Sequence, residues 1–226
     1  MPETLITFGI AFFFSFVGTI PPGTLSLTII QLGLGNKINI AWSTFVFEDN
    51  SYGHVLPVKG TASLEKDLWA ELKSKIGQEA FDKLVSGLEA SMESKKEGII
   101  VAMPEHSYLD PAPDEKFRLS LFIFPLEGKE SDTENLFLEW KKSYEEIKSP
   151  MAYHVYKMQY GNDKGYVINF PAKNAAEMEQ KASESNQLLG ETSSRLWKKQ
   201  MSLTKRYYWR RGYFAPELGY KYTAAN

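Results

Sequence analysis

Leu5-Ile6-Thr7-Phe8-Gly9-Ile10-Ala11-Phe12-Phe13-Phe14-Ser15-Phe16-Val17-Gly18 is the stretch whose conformation decides the fold of this 226-residue chain. No charged residue occurs from Thr4 to Asn36. A spanning helix needs about 20 apolar residues to cross the hydrocarbon core. Thr4 to Ile20 is slightly short of that, and Thr4 to Leu34 is long enough but contains Pro21-Pro22-Gly23. Two prolines remove two backbone donors and Gly23 loosens the chain, so the expected helix kinks or breaks there. A secretory signal would start with a positive region, whereas this chain starts Met1-Pro2-Glu3 and has its first cation at Lys37. The apolar head therefore reads as a membrane insertion rather than a cleaved signal.

Small residues stud the head: Gly9, Ser15, Gly18, Thr19, Gly23, Thr24, Ser26, Gly33 and Gly35. Such residues let helices approach closely, as in a polytopic bundle. Phe16-Val17-Gly18-Thr19-Ile20-Pro21-Pro22-Gly23-Thr24, followed by Leu32-Gly33-Leu34-Gly35-Asn36-Lys37, resembles the start of lysine-exporter-type amino-acid translocators. That resemblance covers the first 41 residues and implies a first helix ending at a proline-glycine break. It also implies a lipid bilayer as partner through residues 4–36 and a membrane location, the bacterial inner membrane. The family needs several further spans, and none follows Trp42.

Beyond the head the chain is an ordinary polar mixture. Lys plus Arg number 26 against 28 Asp plus Glu, which steers the protein toward no nucleic acid. Cysteine is absent, so disulfide and thiol chemistry are excluded. Three histidines are little material for a metal site, and no pair has a metal-ligand spacing.

Three landmarks recur in order. Asn50-Ser51-Tyr52-Gly53-His54-Val55-Leu56 returns 112 positions later as Asn162-Asp163-Lys164-Gly165-Tyr166-Val167-Ile168. Ile76-Gly77-Gln78-Glu79 returns near Leu189-Gly190-Glu191-Thr192, and Pro104-Glu105 with Tyr108 returns as Pro216-Glu217 with Tyr220. This predicts a tandem duplication. In the later copy, Phe117 to Pro125 reads as a strand, and Ser131-Asp132-Thr133-Glu134 has capping-box form before a helix stopped by Pro150. Ala152 to Tyr160 and Tyr166 to Phe170 read as paired strands. Asn174 caps a helix interrupted near Leu189-Gly190, and Tyr207 to Phe214 closes the copy as a strand. The order β-α-β-β-α-β is the ferredoxin-like split unit. The earlier copy shows strands at 42–48, 53–58 and 98–103 and a helix carrying Phe81, Leu84, Val85, Leu88 and Met92 on one stripe. Its opening strand and helix should fall at about residues 6 to 38, where the apolar head stands instead.

With that order, the Leu-Gly-Glu turn and the closing Pro-Glu-x-x-Tyr, residues 42–222 resemble tandem ferredoxin-like proteins of the dimeric α+β barrel type. That resemblance implies monooxygenases, haem-degrading enzymes or proteins that only bind or associate. The expected fold class is α+β: tandem ferredoxin-like repeats, the first truncated (42–114) and the second complete (115–226), forming a barrel-like pair after an apolar membrane-type segment (1–41). Phe117, Leu119, Leu121 and Ile123 point to one face of their strand while Phe122 and Phe124 point to the other. Two apolar faces predict a ligand cavity between the repeats.

The candidate pocket residues are His54, His154, Tyr156, Tyr166 and Trp209, with no catalytic residue, metal or cofactor assigned. A strand histidine without a carboxylate partner is more often structural, and aromatics are ordinary strand residues. The basic run Arg195 to Arg211 reads as a solvated face answering Glu177, Glu179, Glu184 and Glu191. The sequence thus reads as a membrane-tethered module for binding an unidentified small ligand or for association, including self-association. Amino-acid export and a small α+β barrel monooxygenase-like enzyme are the alternatives.

Overall fold

The computed structural model describes residues 8–16, 43–49, 51–58, 69–90, 92–112, 114–160 and 164–218. The chain divides into two compact units, residues 1–99 with 214–226, and residues 100–213.

In the first unit, β1 (Phe8–Phe16), β2 (Ser43–Phe47) and β3 (Ser51–Val58) form an antiparallel sheet with β3 in the middle. Phe8 stands opposite Val58 and Ser15 opposite Ser51. The β2–β3 turn is closed by Asp49, whose Oδ1 accepts from Ser51 N at 3.1 Å and Ser51 Oγ at 2.7 Å. Helices α1 (Ala70–Ile76) and α2 (Gln78–Ala90) follow, hinged at Gly77 with φ 84, and lead into β4 (Met92–Ala102). Val46, Phe47, Leu56, Leu72 and Phe81 are buried. The C-terminal segment docks on β2: Ala215 N donates to Thr44 O at 2.8 Å, and the Phe214 ring lies 5.6 Å from Phe45.

The membrane-type helix expected over the apolar head is corrected at Phe8–Phe16, which is a β-strand. The segment FGIAFFFSF is rich in Phe and punctuated by Gly9 and Ser15, a composition that suits a pleated strand better than a helix. Its backbone groups are satisfied across the ladder to β3 rather than within a turn. The expectation that no strand opens this region is corrected with it. Among the described residues no helix is long and apolar enough to cross a membrane. The Pro21-Pro22-Gly23 break and the Gly-rich turn after it lie outside the described residues.

In the second unit, β5 (Phe117–Pro125), α3 (Glu130–Ile147), β6 (His154–Tyr160), β7 (Gly165–Ala172), α4 (Ala175–Leu189), α5 (Glu191–Leu203) and β8 (Thr204–Phe214) follow in order. Their antiparallel sheet runs β8-β5-β7-β6. Helix α3 begins at Glu130, so Ser131 is inside it rather than capping it; Thr133 Oγ1 instead donates to Lys129 O at 2.8 Å. Lys148, at φ 50, ends α3 before Pro150 is reached. Asn174 does cap α4, its Oδ1 accepting from Glu177 N at 2.9 Å. Gly190, at φ 55, breaks α4 from α5 in a conformation that suits glycine. Gly165 is required for another reason: a Cβ there would lie 2.5 Å from Ile123 O.

Alternation along β5 sorts the two faces as expected. Leu121 and Ile123 join the buried cluster with Phe137, Tyr144, Tyr153, Tyr166 and Leu189. On the other face Ser120 Oγ donates to Asn169 Oδ1 at 2.6 Å, the Phe122 ring stacks on Tyr208 at 4.7 Å, and the Arg206 guanidinium sits 4.1 Å over Phe124.

Candidate functional site

A cavity of about 530 Å³ lies within the second unit, between the sheet and the helices that cover it. Its floor is Leu119, Leu121 and Ile123 of β5 with Ile168 and Phe170 of β7 and Trp209 of β8. Spacings of three and four residues aim Phe137, Trp140 and Tyr144 inward from α3, and Met178, Ala182 and Asn186 inward from α4. Helix α5 contributes Ser193, Ser194, Trp197 and Gln200, and the segment before β6 contributes Met151 and Tyr153. Gly190, Asn186, Ser194 and Trp209 are exposed and mark where the space meets solvent. There Ser193 Oγ donates to Asn186 Oδ1 at 2.8 Å.

The lining is aromatic and uncharged. Tyr153 packs edge-on to Tyr144 at 5.3 Å and lies 5.8 Å from Phe170, whose ring is 6.0 Å from Trp209. Burial pushes the Tyr144 and Tyr153 phenols above their ordinary value, and for Tyr153 the neighbouring Tyr144, Glu145 and Tyr108 add to it. Both stay protonated and can only donate or accept as neutral hydroxyls. Among the described residues, two buried side-chain polar atoms have no hydrogen-bond partner, Tyr153 Oη and Gln200 Oε1, on side chains that are 4% and 1% exposed. An unpartnered buried polar atom costs about 1–3 kcal/mol.

Of the five sequence candidates, the structure brings Trp209 to this cavity and places the others elsewhere. Tyr166 is buried beside α3, where its hydroxyl donates to Glu134 Oε1 at 2.7 Å. Lys157 Nζ donates to the same oxygen at 2.7 Å. Burial opposes the Glu134 charge, but the hydrogen bonds from Lys157 and Tyr166 outweigh it and hold the carboxyl below its ordinary 4.5. His106 is near enough to feel Glu134 and is pushed down by burial. This cluster clamps α3 to β6 and β7.

Tyr156 and His154 project from the sheet face opposite the helices, their rings 6.5 Å apart. His154 Nε2 donates to Leu109 O at 3.1 Å and lies 3.4 Å from Asp110 Oδ1. His54 belongs to the first unit. Its Nδ1 is 2.9 Å from Thr44 Oγ1, which gives its own proton to Leu218 O at 2.8 Å, so Nδ1–H is the donor. Burial pushes His54 down to about 4. Among the described residues no group of three His, Cys, Asp or Glu side chains could hold a metal ion.

Sequence reasoning placed a cavity between the repeats, whereas this one is beneath the helices of the second unit. It missed Tyr153, Gln200, Trp140 and Trp197. The signal for Trp140 was present, since it shares the helical stripe of Phe137 and Tyr144. Nothing in the sequence singles out Gln200.

No family model and no curated protein matches the chain. Solved structures do. An anthrone oxidase-like protein is similar at TM-score 0.64 and 9% identity, over 94% of this chain and 92% of its own. A protein from Fusobacterium nucleatum assigned as a monooxygenase is similar at TM-score 0.60 and 8% identity, over 94% of both chains. A chlorite dismutase variant from Candidatus Nitrospira defluvii follows at TM-score 0.55 and 9% identity, over 94% and 93%. At these identities the likeness is one of fold. It supports the α+β, ferredoxin-like expectation, and none of the three is a transporter.

Proposed function

We propose that this protein is a small α+β oxygenase-like enzyme whose site is the cavity of the second unit, acting with molecular oxygen on a flat, largely apolar aromatic substrate. The carrying observation is the cavity itself: about 530 Å³ of space walled by Trp140, Trp197, Trp209, Tyr144, Tyr153 and Phe170. That size and apolar lining are those of small-molecule sites, which commonly span about 300–1,000 Å³. The fold it shares with an anthrone oxidase-like protein and with proteins assigned as monooxygenases supports the reaction class. For a substrate with a methylene between aryl rings, one molecule of oxygen converts that methylene to a ketone, one of its atoms entering the carbonyl and the other leaving as water. Both methylene C–H bonds and the dioxygen bond break, and a C=O and two O–H bonds form. The carbon gives up four electrons and dioxygen takes them. The like pairing of β1 with β3 and of β5 with β7 supports reading the two units as ferredoxin-like copies, the first opening at residues 8–16.

Anthrone is a suitable probe. Wild-type protein should consume oxygen and form anthraquinone faster than buffer, and Ala182→Trp, which fills the cavity from α4, should lose that activity while remaining folded by circular dichroism. Oxidation no faster than buffer, or undiminished in Ala182→Trp, would reject this reading. A non-catalytic ligand-binding role is the second reading, and one observation favours it: the lining contains no Asp, Glu, Lys, Arg or His. Anthrone that binds without being oxidised would select it.

A further inference from the structure

Internal pairing does not account for the whole basic run of the second unit. Arg195 and Lys199 of α5 share Glu139 of α3, and the Arg206 guanidinium lies over Phe124. Arg211 is exposed, and among the described residues its side chain makes no ion pair, hydrogen bond or ring contact. Its place in the sheet ties it to the cavity. Leu119 of β5 stands opposite Phe170 of β7 on one side and opposite Arg211 of β8 on the other. Directly opposed residues of an antiparallel ladder point to the same face, with Cβ atoms about 5 Å apart. Leu119 and Phe170 both line the cavity, so Arg211 is the β8 member of a row that forms its floor. The next row holds Ile168, Leu121 and Trp209, all of them lining residues. Trp209 is 44% exposed where the space meets solvent, and Arg211 follows it on the same face about 7 Å along the strand. Being exposed and outside the lining, Arg211 stands at the rim of an uncharged space. Arg206 and Arg210 alternate to the other face of β8. Lys205, the other cation of this face, stands about 20 Å from Arg211, with Tyr207 and Trp209 between them.

We propose that Arg211 is a specificity-determining residue of this cavity and that the ligand is an aromatic monocarboxylic acid. Its flat apolar ring system enters beside Trp209, and its carboxylate stays at the mouth on the Arg211 guanidinium. The proposal rests on the cavity being the functional site, and it adds the charge and orientation of what enters. A carboxylate drawn into an uncharged apolar space forfeits its hydration, whereas at the rim it keeps water and meets a planar fork of donors. One guanidinium, with the next cation of its face far along the strand, matches a single negative charge. A carboxylate therefore suits it better than a phosphate dianion.

2-Naphthylacetate and 2-naphthylacetamide test this because they share a shape and differ in charge. Their binding to the full chain would be measured by equilibrium dialysis at low salt. The acid should bind about tenfold tighter than the amide, the scale of one charge-assisted hydrogen bond. That preference should shrink in about 0.5 M NaCl, because salt screens an exposed pair. Arg211→Gln should bring the acid down to the affinity of the amide, and Arg211→Lys should restore part of the difference. Lys205→Gln, which removes the same charge elsewhere on the strand, should keep the preference. Ala182→Trp, which fills the cavity, should abolish binding of both probes. Equal affinities in the wild type, a preference that survives Arg211→Gln or is lost equally in Lys205→Gln, or acid binding that persists in Ala182→Trp would each overturn the proposal. So would failure of both probes to bind. Anthrone carries no carboxylate, and its oxidation is scored apart from this series. A charge preference without oxidation upholds the role of Arg211 while rejecting the oxygenase reading; oxidation without a charge preference does the reverse.

Discussion

Both units pair an opening strand antiparallel with a later hairpin strand, β1 with β3 and β5 with β7, yet they distribute polarity differently. The first unit buries a histidine, His54, in a relay through Thr44 to the carbonyl of Leu218. The second holds a half-buried carboxylate, Glu134, between Lys157 and Tyr166, and among the described residues it buries two polar atoms without a partner, Tyr153 Oη and Gln200 Oε1. One arrangement therefore responds to acid near neutrality and the other only well below it. The contrast teaches that similar ladders can carry unrelated chemistry, because a ladder fixes backbone pairing and leaves the side chains on its faces free to differ.

Core truncation tests the comparison most severely. Leu72→Ala in the first unit and Leu136→Ala in the second each remove a side chain that is essentially inaccessible, 1% and 0% exposed, and should each cost about 2–5 kcal/mol in urea denaturation. A cost near zero for either would show that its unit lacks a packed core.

Acid titration of stability comes next. His54 is held at about 4 in the folded protein against an ordinary 6.5, so its contribution is complete above pH 6.5 and is lost as pH falls toward 4. The full window is worth about 3 kcal/mol. Glu134, held below its ordinary 4.5, contributes above that value and loses its contribution only at lower pH. His54→Gln should flatten the upper window alone and Glu134→Gln the lower one alone. A His54→Gln profile that parallels wild type between pH 6.5 and 4 would show that the relay does not set the first unit's acid response.

Gly165→Ala should cost about 1–3 kcal/mol, because the new methyl meets the Ile123 carbonyl, which is backbone and cannot turn aside. Thermal melts would measure it, and an unchanged midpoint would mean that β5 and β7 separate without penalty.

Tyr153→Phe has the smallest expected effect and the opposite sign. Removing a buried hydroxyl with no partner should raise the stability of the ligand-free protein by about 1 kcal/mol. A loss instead of a gain would show that the hydroxyl is satisfied.

Much of the second unit was legible in its sequence. The capping of α4 by Asn174, the break at Gly190 and the strand face of Leu119, Leu121 and Ile123 all follow from local rules that the structure obeys. The apolar head was misread because Phe8 to Phe16 is hydrophobic in any conformation, and a continuous apolar run does not distinguish a helix in lipid from a strand with a partner. The candidate site was less legible still. Trp209 was visible as one of a group of strand aromatics, but Gln200 is one polar residue on an ordinary helix.

By itself, the sequence determined the chain's periodicities, its turn and cap positions and the alternation that makes two-faced strands, since these depend on neighbours a few residues apart. Tertiary structure alone decided that residues 8–16 pair with β3, and that a tyrosine before β6 and a glutamine on α5 share one apolar space. Those outcomes depend on which distant surface satisfies a backbone or leaves a polar atom unmet, and such long-range pairings leave no local periodicity to read.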